Sequence, residues 1–199
     1  VELYHEAFGS FPPARYQSRP DTDSSNKCGL ETPTWLARIM PFIEQTANGG
    51  KWDFADPWYQ ADEEIRLTVP DIFLCPTRRG GERSVGIRNL AQGGGWAPCG
   101  CPIPPRPPLI VSGALCDYAG NHGDLTPGTT GDPTDFYYGG NGTGVIISSR
   151  PDCENGRAVA PLDRIRIASV SDGTSNTFLL GEKYVPIKYI KQFPFDSPA

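Results

Sequence analysis

Apolar residues at the start of the chain fall on one face of a helix. Val1, Tyr4 and Phe8 are spaced i, i+3 and i+7, which is typical of an amphipathic helix. Gly9 is favourable just beyond a helix end, and the prolines that soon follow cannot continue a helix. We therefore expect the chain to open in the last turns of a helix that docks through Val1, Tyr4 and Phe8.

A second helical pattern covers residues 35–43. Thr32 and Pro33 precede it and suit the N-cap and the first helical position, and apolar residues follow at helical spacing. Pro41 lies inside the pattern and should split it into two short pieces, because a proline ring does not fit a helix interior. Residues 62–67 predict one further short helix.

Short apolar runs between turn-forming residues predict strands. They occupy residues 71–75, 109–111, 116–121, 145–147 and 178–180. We expect a single α+β domain over residues 1–199. Residues 77–108 and 122–144 are expected to be loop insertions. The residues predicted to form the core are Trp35, Ile39, Phe42, Phe178 and Leu180.

The run from Ser171 to Lys183 places several turn-forming residues before a short apolar stretch. Asp172 and Asn176 have side chains that bond to nearby backbone groups, and Gly173 can adopt a positive φ without steric cost. Nothing in the run suggests a nucleophile or a phosphate-binding loop. We expect these three residues to fix a structural turn in front of the last core strand.

Charge and composition narrow the functional classes. The net charge is −5 and the pI is about 5.0. Without a concentrated basic face, the chain is not expected to bind nucleic acid. Its 23 glycines and 21 prolines favour long loops over regular helix.

The chain contains six cysteines, and an even number in a loop-rich chain favours disulfides and an oxidising compartment. Cys-x-Cys occurs only once, without the paired Cys-x2-Cys spacing that a zinc site needs. The sequence cannot select among the pairings of six cysteines. The disulfide candidates are Cys28, Cys75, Cys99, Cys101, Cys116 and Cys153.

Two loop features suggest a ligand or a modification. Asp117, Asn121 and Asp124 carry the oxygen atoms that calcium prefers, although turn chemistry explains the same residues without a metal. Asn141 begins a formal glycosylation sequon, in a glycine-rich segment that also suits a hairpin turn. No other cofactor or metal is expected.

Catalytic motifs are missing from the sequence. His5 and His122 are the only histidines, and no Gly-x-Ser-x-Gly elbow accompanies them. We therefore expect no catalytic residue and no enzyme. Aromatic residues in the predicted loops suit either a glycan or a contact between subunits; they are Trp52, Trp58, Tyr59, Trp96, Tyr137 and Tyr138.

Five segments in the same order resemble the planctomycete-type prepilin-like proteins, a domain family of unknown function. Members of that family begin with a pilin-like methylation helix and often end with a His-x9-Asp-Gly motif. The histidine of that motif is missing here, because Leu162 stands ten positions before Asp172. The resembling segments are residues 4–13, 35–45, 73–76, 117–121 and 172–183.

The resemblance implies a pilin-like or pseudopilin-like fold, in which the N-terminal helix packs on an antiparallel sheet with long disulfide-stapled loops. It also implies export and assembly through the N-terminal helix. Only the last turns of that helix are expected in this chain, with the membrane-anchoring apolar part mostly absent. We expect an exported structural subunit of a cell-surface or extracellular filament or of a type II secretion assembly, which associates with its own copies. The alternative is an extracellular module that recognises a glycan or a surface partner.

Overall fold

The structure is a computed structural model that describes residues 1–17, 28, 32–78, 85–90, 95–96, 102–103, 109–124 and 139–185. The chain divides into two compact units. The first unit is formed by Val1–Ala61 and Tyr118–Glu182, and the second by Asp62–Asp117 and the residues from Lys183 onward.

The helices are short. The α-helices are α1 (Glu2–Phe8), α2 (Trp35–Ile39), α3 (Thr46–Gly49) and α4 (Glu63–Leu67). Single 3-10 turns cover Met40–Phe42, Trp58–Gln60, Asp71–Phe73 and Ile167–Ser169.

The strands pair two by two, and every pair is antiparallel. They are β1 (Val85–Leu90), β2 (Gly95–Trp96), β3 (Pro102–Ile103), β4 (Leu109–Ala114), β5 (Tyr118–Gly120), β6 (Pro151–Glu154), β7 (Arg157–Pro161) and β8 (Leu180–Glu182). Among the described residues the pairs are β1–β4, β2–β3, β5–β8 and β6–β7. This mixture of helices and small antiparallel sheets confirms the predicted α+β class.

Two helix predictions are confirmed. The helix α1 ends at Gly9, which has a φ of 70° and donates its backbone N–H to His5 O, as a left-handed C-terminal cap does. The second pattern splits at Pro41 into α2 and the 3-10 turn Met40–Phe42. Its N-cap is Thr34, not Thr32 as predicted, because the Thr32 hydroxyl instead accepts a hydrogen bond from Tyr16 N.

Two strand predictions are wrong. Residues 71–73 form a 3-10 turn. Cys75 N donates a hydrogen bond to the Asp117 carboxylate, whereas in a strand it would donate to the backbone of a neighbouring strand. Residues 145–147 form no strand, yet Val145, Ile146 and Ile147 are buried. Their hydrophobicity reflects core packing of an irregular segment.

Phe178 and Leu180 were predicted in the core, and this is wrong. Phe178 is 85% exposed and Leu180 is 40% exposed, whereas Leu179 between them is half-buried. Successive side chains of an extended segment point to opposite faces, so only Leu179 turns inward. The predicted core residues Trp35 and Ile39 are buried as expected.

The long loop predicted at 77–108 contains regular structure. β1, β2 and β3 all lie within it, and β1 pairs with β4 from Val85↔Ala114 to Leu90↔Leu109. In this second unit Leu115 and Cys116 are almost completely buried.

Candidate functional site

The helix α1 rests on a small aromatic cluster in the first unit. The Tyr4 ring lies 4.5 Å from the Phe8 ring and 5.7 Å from the Phe42 ring, and the rings of Phe8 and Phe42 are 6.2 Å apart. These centroid distances suit favourable aromatic pairs. Burial raises the pKa of Tyr4, and the nearby positive charge of Arg38 opposes this effect.

Much of the apolar side of α1 remains exposed. Of its residues only Tyr4 is buried, while Leu3 is 55% and Phe8 is 58% exposed. At 100° per residue, Leu3 and Phe8 flank Tyr4 on one continuous arc, and Glu2 and Glu6 lie on the opposite side. Of the predicted docking residues, Tyr4 is therefore buried and Val1 is half-buried, whereas Phe8 is mostly exposed.

Hydrogen bonds and ring contacts fix the position of α1. The His5 ring lies 5.1 Å from the Phe11 ring, and its Nε2 accepts a hydrogen bond from Ile167 N at 3.3 Å. Phe11 N donates to Ile165 O at 2.8 Å. The orientation of α1, and so of its exposed arc, is thus set by contacts at the middle of the helix, through His5, and just beyond its C-terminal end, through Phe11.

Asn121 joins three segments of the first unit. Its amide Nδ2 donates to Phe178 O at 2.7 Å, and its backbone N donates to Leu179 O at 3.0 Å. Its backbone O accepts hydrogen bonds from Val145 N and Ile146 N at 3.0 and 2.9 Å. Asn121 therefore joins the backbone of residues 178–179 to that of residues 145–146.

The turn at residues 171–177 is organised by its own side chains. Gly173 has a φ of 82°, a conformation that side-chain-bearing residues rarely adopt. Asn176 Nδ2 donates to Asp172 O at 3.0 Å, and Thr177 Oγ1 donates to Gly173 O at 3.1 Å. Asp172 contributes its backbone O, so its carboxylate is not required for these two bonds.

A wide groove of about 610 Å³ runs along this turn; we call it the polar groove. One side is formed by residues 169–172 and 176–178, and the other by residues 121, 123–124 and 142–145. Carboxylate, amide and hydroxyl groups predominate in its lining. A second groove, of about 440 Å³, lies beside α1 and is lined partly by Phe11, Ile167 and Leu179.

His122 is held in its neutral form. Ser148 N donates to its Nε2 at 3.0 Å, which places the ring hydrogen of the neutral form on Nδ1. Burial, together with the positive charge of Arg15, lowers the pKa of His122 to about 4. The His122 ring therefore serves as an acceptor inside the first unit.

The calcium candidates have other partners. The side chain of Asp117 is fully buried in the second unit, where Oδ2 accepts from Cys75 N at 2.8 Å and Oδ1 lies 3.1 Å from Arg78 Nη1. In the first unit, Asn121 Oδ1 accepts from Gly123 N, and Asp124 Oδ1 accepts from the Thr143 hydroxyl. No three carboxylate, histidine or cysteine side chains gather as a metal site within the described ranges.

Among the described residues one disulfide is present, between Cys28 and Cys153, which lie 125 positions apart in sequence and have Cα atoms 6.0 Å apart. Cys75 is a buried free thiol whose Sγ lies 3.2 Å from Thr77 Oγ1. Cys116 is buried as well. Cys99 and Cys101 lie outside the described residues.

The glycosylation candidate and the aromatic residues of the predicted loops differ in how far they are buried. Asn141 is half-buried and follows Gly140, whose φ is 80°. Trp58 is buried and its ring meets that of Tyr59 at 6.1 Å, so Trp58 belongs to the core. Trp52 and Tyr59 are half-buried, Trp96 lies in β2, and Tyr137 and Tyr138 lie outside the described residues.

Two cationic side chains have structural roles that the sequence does not indicate. The Arg38 guanidinium lies 4.3 Å from the Tyr16 ring centre and 4.5 Å from that of Phe54, a double cation–π arrangement. Arg78 pairs with the buried Asp117. Neither has a local sequence signal, because each partner is distant along the chain.

Together these features define an α+β protein with small antiparallel sheets and a disulfide. The sequence profile of one family, described as "Protein of unknown function (DUF1559)", matches residues 2–197. The chain belongs to this family. No curated protein and no solved structure matches it. In the part of the chain that the structure describes, no helix is both long enough and apolar enough to span a bilayer.

Proposed function

We propose that the protein is an exported, pilin-like structural subunit that associates with its own copies through α1 and takes part in no catalysis. The observation that carries this proposal is the exposure of Leu3 and Phe8 on either side of the buried Tyr4. The apolar arc of α1 is therefore wider than the part of it that the domain buries. Exposed apolar arcs of this kind favour burial against a partner.

A second copy of the chain is the proposed partner. Repeated head-to-tail contacts between different surfaces of identical subunits generate filaments, which is the assembly that the prepilin-like resemblance implies. The anchored orientation of α1 supports this role, because a rigid helix loses little conformational entropy on binding.

The disulfide supports the export part of the proposal. Disulfides persist in oxidising compartments and are rare in the reducing cytosol. The Cys28–Cys153 bond therefore suits a location outside the cytoplasm, at the cell surface or in the medium.

The experiment compares the full-length gene product with a Leu3→Glu/Phe8→Glu variant, by sedimentation velocity and negative-stain electron microscopy. Two carboxylates within an apolar contact should prevent assembly, because charges are costly to bury. Val159→Glu is the matched control, since Val159 is 49% exposed but lies on β7. Oligomers that persist in the double variant, or a wild type that stays monomeric at high concentration, would refute the proposal.

A further inference from the structure

We infer that the polar groove binds a neutral saccharide chain. This inference is independent of self-association, because it uses the groove along the turn at residues 171–177 and not the exposed arc of α1. Three observations carry it: the chemistry of the lining, an exposed aromatic ring at its edge, and the prior fixation of both sides.

The lining offers hydrogen-bonding groups without positive charge. The carboxylates of Asp124 and Asp172, the amide of Asn176 and the hydroxyls of Ser169 and Ser171 all lie along it. None of the described residues that line the groove is Lys or Arg. A lining with two carboxylates and no described Lys or Arg disfavours an anionic ligand, whereas sugar hydroxyls can donate to carboxylates and accept from hydroxyl and amide groups.

Phe178 supplies an apolar platform in this otherwise polar lining. It lines the groove and is 85% exposed, an unusual position for a phenyl ring in water. The electron-rich face of an aromatic ring attracts positively polarised C–H groups, which pyranose rings present on one face. A ring beside carboxylates and hydroxyls therefore matches both the apolar face and the polar edge of a sugar.

Both sides of the groove are held in place without a ligand. The Asn121 amide fixes the backbone of Phe178, and the Asn176 and Thr177 side chains close the turn around Gly173. On the other side, Gly144 N donates to His122 O at 3.0 Å. Little ordering is thus required when a ligand binds, which favours affinity.

The open shape indicates a chain and not a single enclosed sugar. A groove of about 610 Å³ that is open along its length can accept internal units of a polysaccharide. The proposed ligand class is therefore a neutral oligosaccharide or polysaccharide.

The test measures binding by saturation-transfer NMR and isothermal titration calorimetry. The probes are cellohexaose, chitohexaose and mannohexaose, with hexagalacturonic acid as the anionic comparator. We expect at least one neutral hexasaccharide to bind and the anionic one to bind more weakly. If no neutral probe binds, or if the anionic probe binds best, the inference fails.

Variants locate the site. Phe178→Ala should weaken binding about fivefold to tenfold through loss of the ring platform, and Asp172→Asn should weaken it while leaving the backbone bonds of the turn intact. Tyr184→Ala is the matched control, because Tyr184 is 89% exposed but does not line the groove. Near-ultraviolet circular dichroism checks that each variant is folded. A folded Phe178→Ala protein with wild-type affinity would overturn the assignment.

Discussion

Arg78 and Asp117 form an ion pair in which the carboxylate is completely buried and the guanidinium side chain is only 18% exposed. The same carboxylate accepts a hydrogen bond from Cys75 N, and Asp117 N donates to Phe73 O at 2.9 Å. Asp117 is thus joined to the segment 73–76 through both its side chain and its backbone.

Asp117→Asn should destabilise the protein by about 3 to 5 kcal/mol, because it leaves the Arg78 charge without its buried partner. Asparagine can still accept from Cys75 N, so the variant isolates the charge. Urea unfolding followed by circular dichroism measures the change. Asp53→Asn serves as the comparison, because Asp53 and Arg157 form an exposed pair whose loss should cost much less. Equal losses in the two variants would contradict the prediction.

Stability should decrease as the pH falls through the titration of His122. Its pKa is lowered to about 4 in the folded protein, against about 6.5 in an unfolded chain. The unfolded state therefore binds the proton first, and the stabilisation present above about pH 6.5 is lost progressively down to about pH 4. The loss should reach about 3 kcal/mol.

The measurement is urea unfolding at several pH values across that window, for wild type and His122→Gln. The variant should lose most of the slope, whereas His5→Gln, which leaves His122 in place, should retain it. A slope that is the same in His122→Gln as in wild type would assign the effect to other groups.

Gly120→Ala should destabilise the protein, because a Cβ atom there would lie 2.7 Å from Cγ2 of the fully buried Ile146. Overpacking of this kind costs about 1 to 3 kcal/mol. The opposite strand of the same pair offers the control: a Cβ atom at Gly181 meets nothing within 4 Å, so Gly181→Ala should be close to neutral. Thermal unfolding of the two variants decides, and a similar change in both would refute the packing argument.

Removing the Cys28–Cys153 bond should lower the free energy of unfolding by about 2 to 5 kcal/mol. A Cys28→Ala/Cys153→Ala double variant should be no less stable than either single variant, because all three lack the same bond. Chemical denaturation measures the stabilities, and non-reducing peptide mapping identifies the linkage. Additive losses, or a different linkage in the peptide map, would contradict the pairing.

Local sequence patterns predicted the structure where the determining interactions are local. The end of α1 at Gly9 and the break at Pro41 follow from the conformational limits of those residues, and the structure has both. The strand predicted at 71–75 failed because Asp117, far along the chain, supplies the acceptor for Cys75 N. A pattern of apolar residues cannot reveal such a partner.

The candidate site residues likewise divide into those that depend on local interactions and those that depend on partners distant in sequence. The prediction for Asp172, Gly173 and Asn176 rests on their preference for turns, which depends on hydrogen bonds and backbone angles within a few residues. The burial of Asp117 and the exposure of Phe178 depend on which segments come together in space, and hydrophobicity alone indicated the opposite for Phe178. Arg38 gained its two aromatic neighbours, Tyr16 and Phe54, in the same way.

The Cys28–Cys153 bond also determines how the chain would carry mechanical load. A covalent bond joins two points that are 125 positions apart, so tension applied at the two chain ends passes from Cys28 directly to Cys153. That tension does not act on the residues between the two cysteines, which include α2, β5 and Asn121. In an assembly held together through α1, most of the chain would remain folded under a pull that extends only the segments outside the bond.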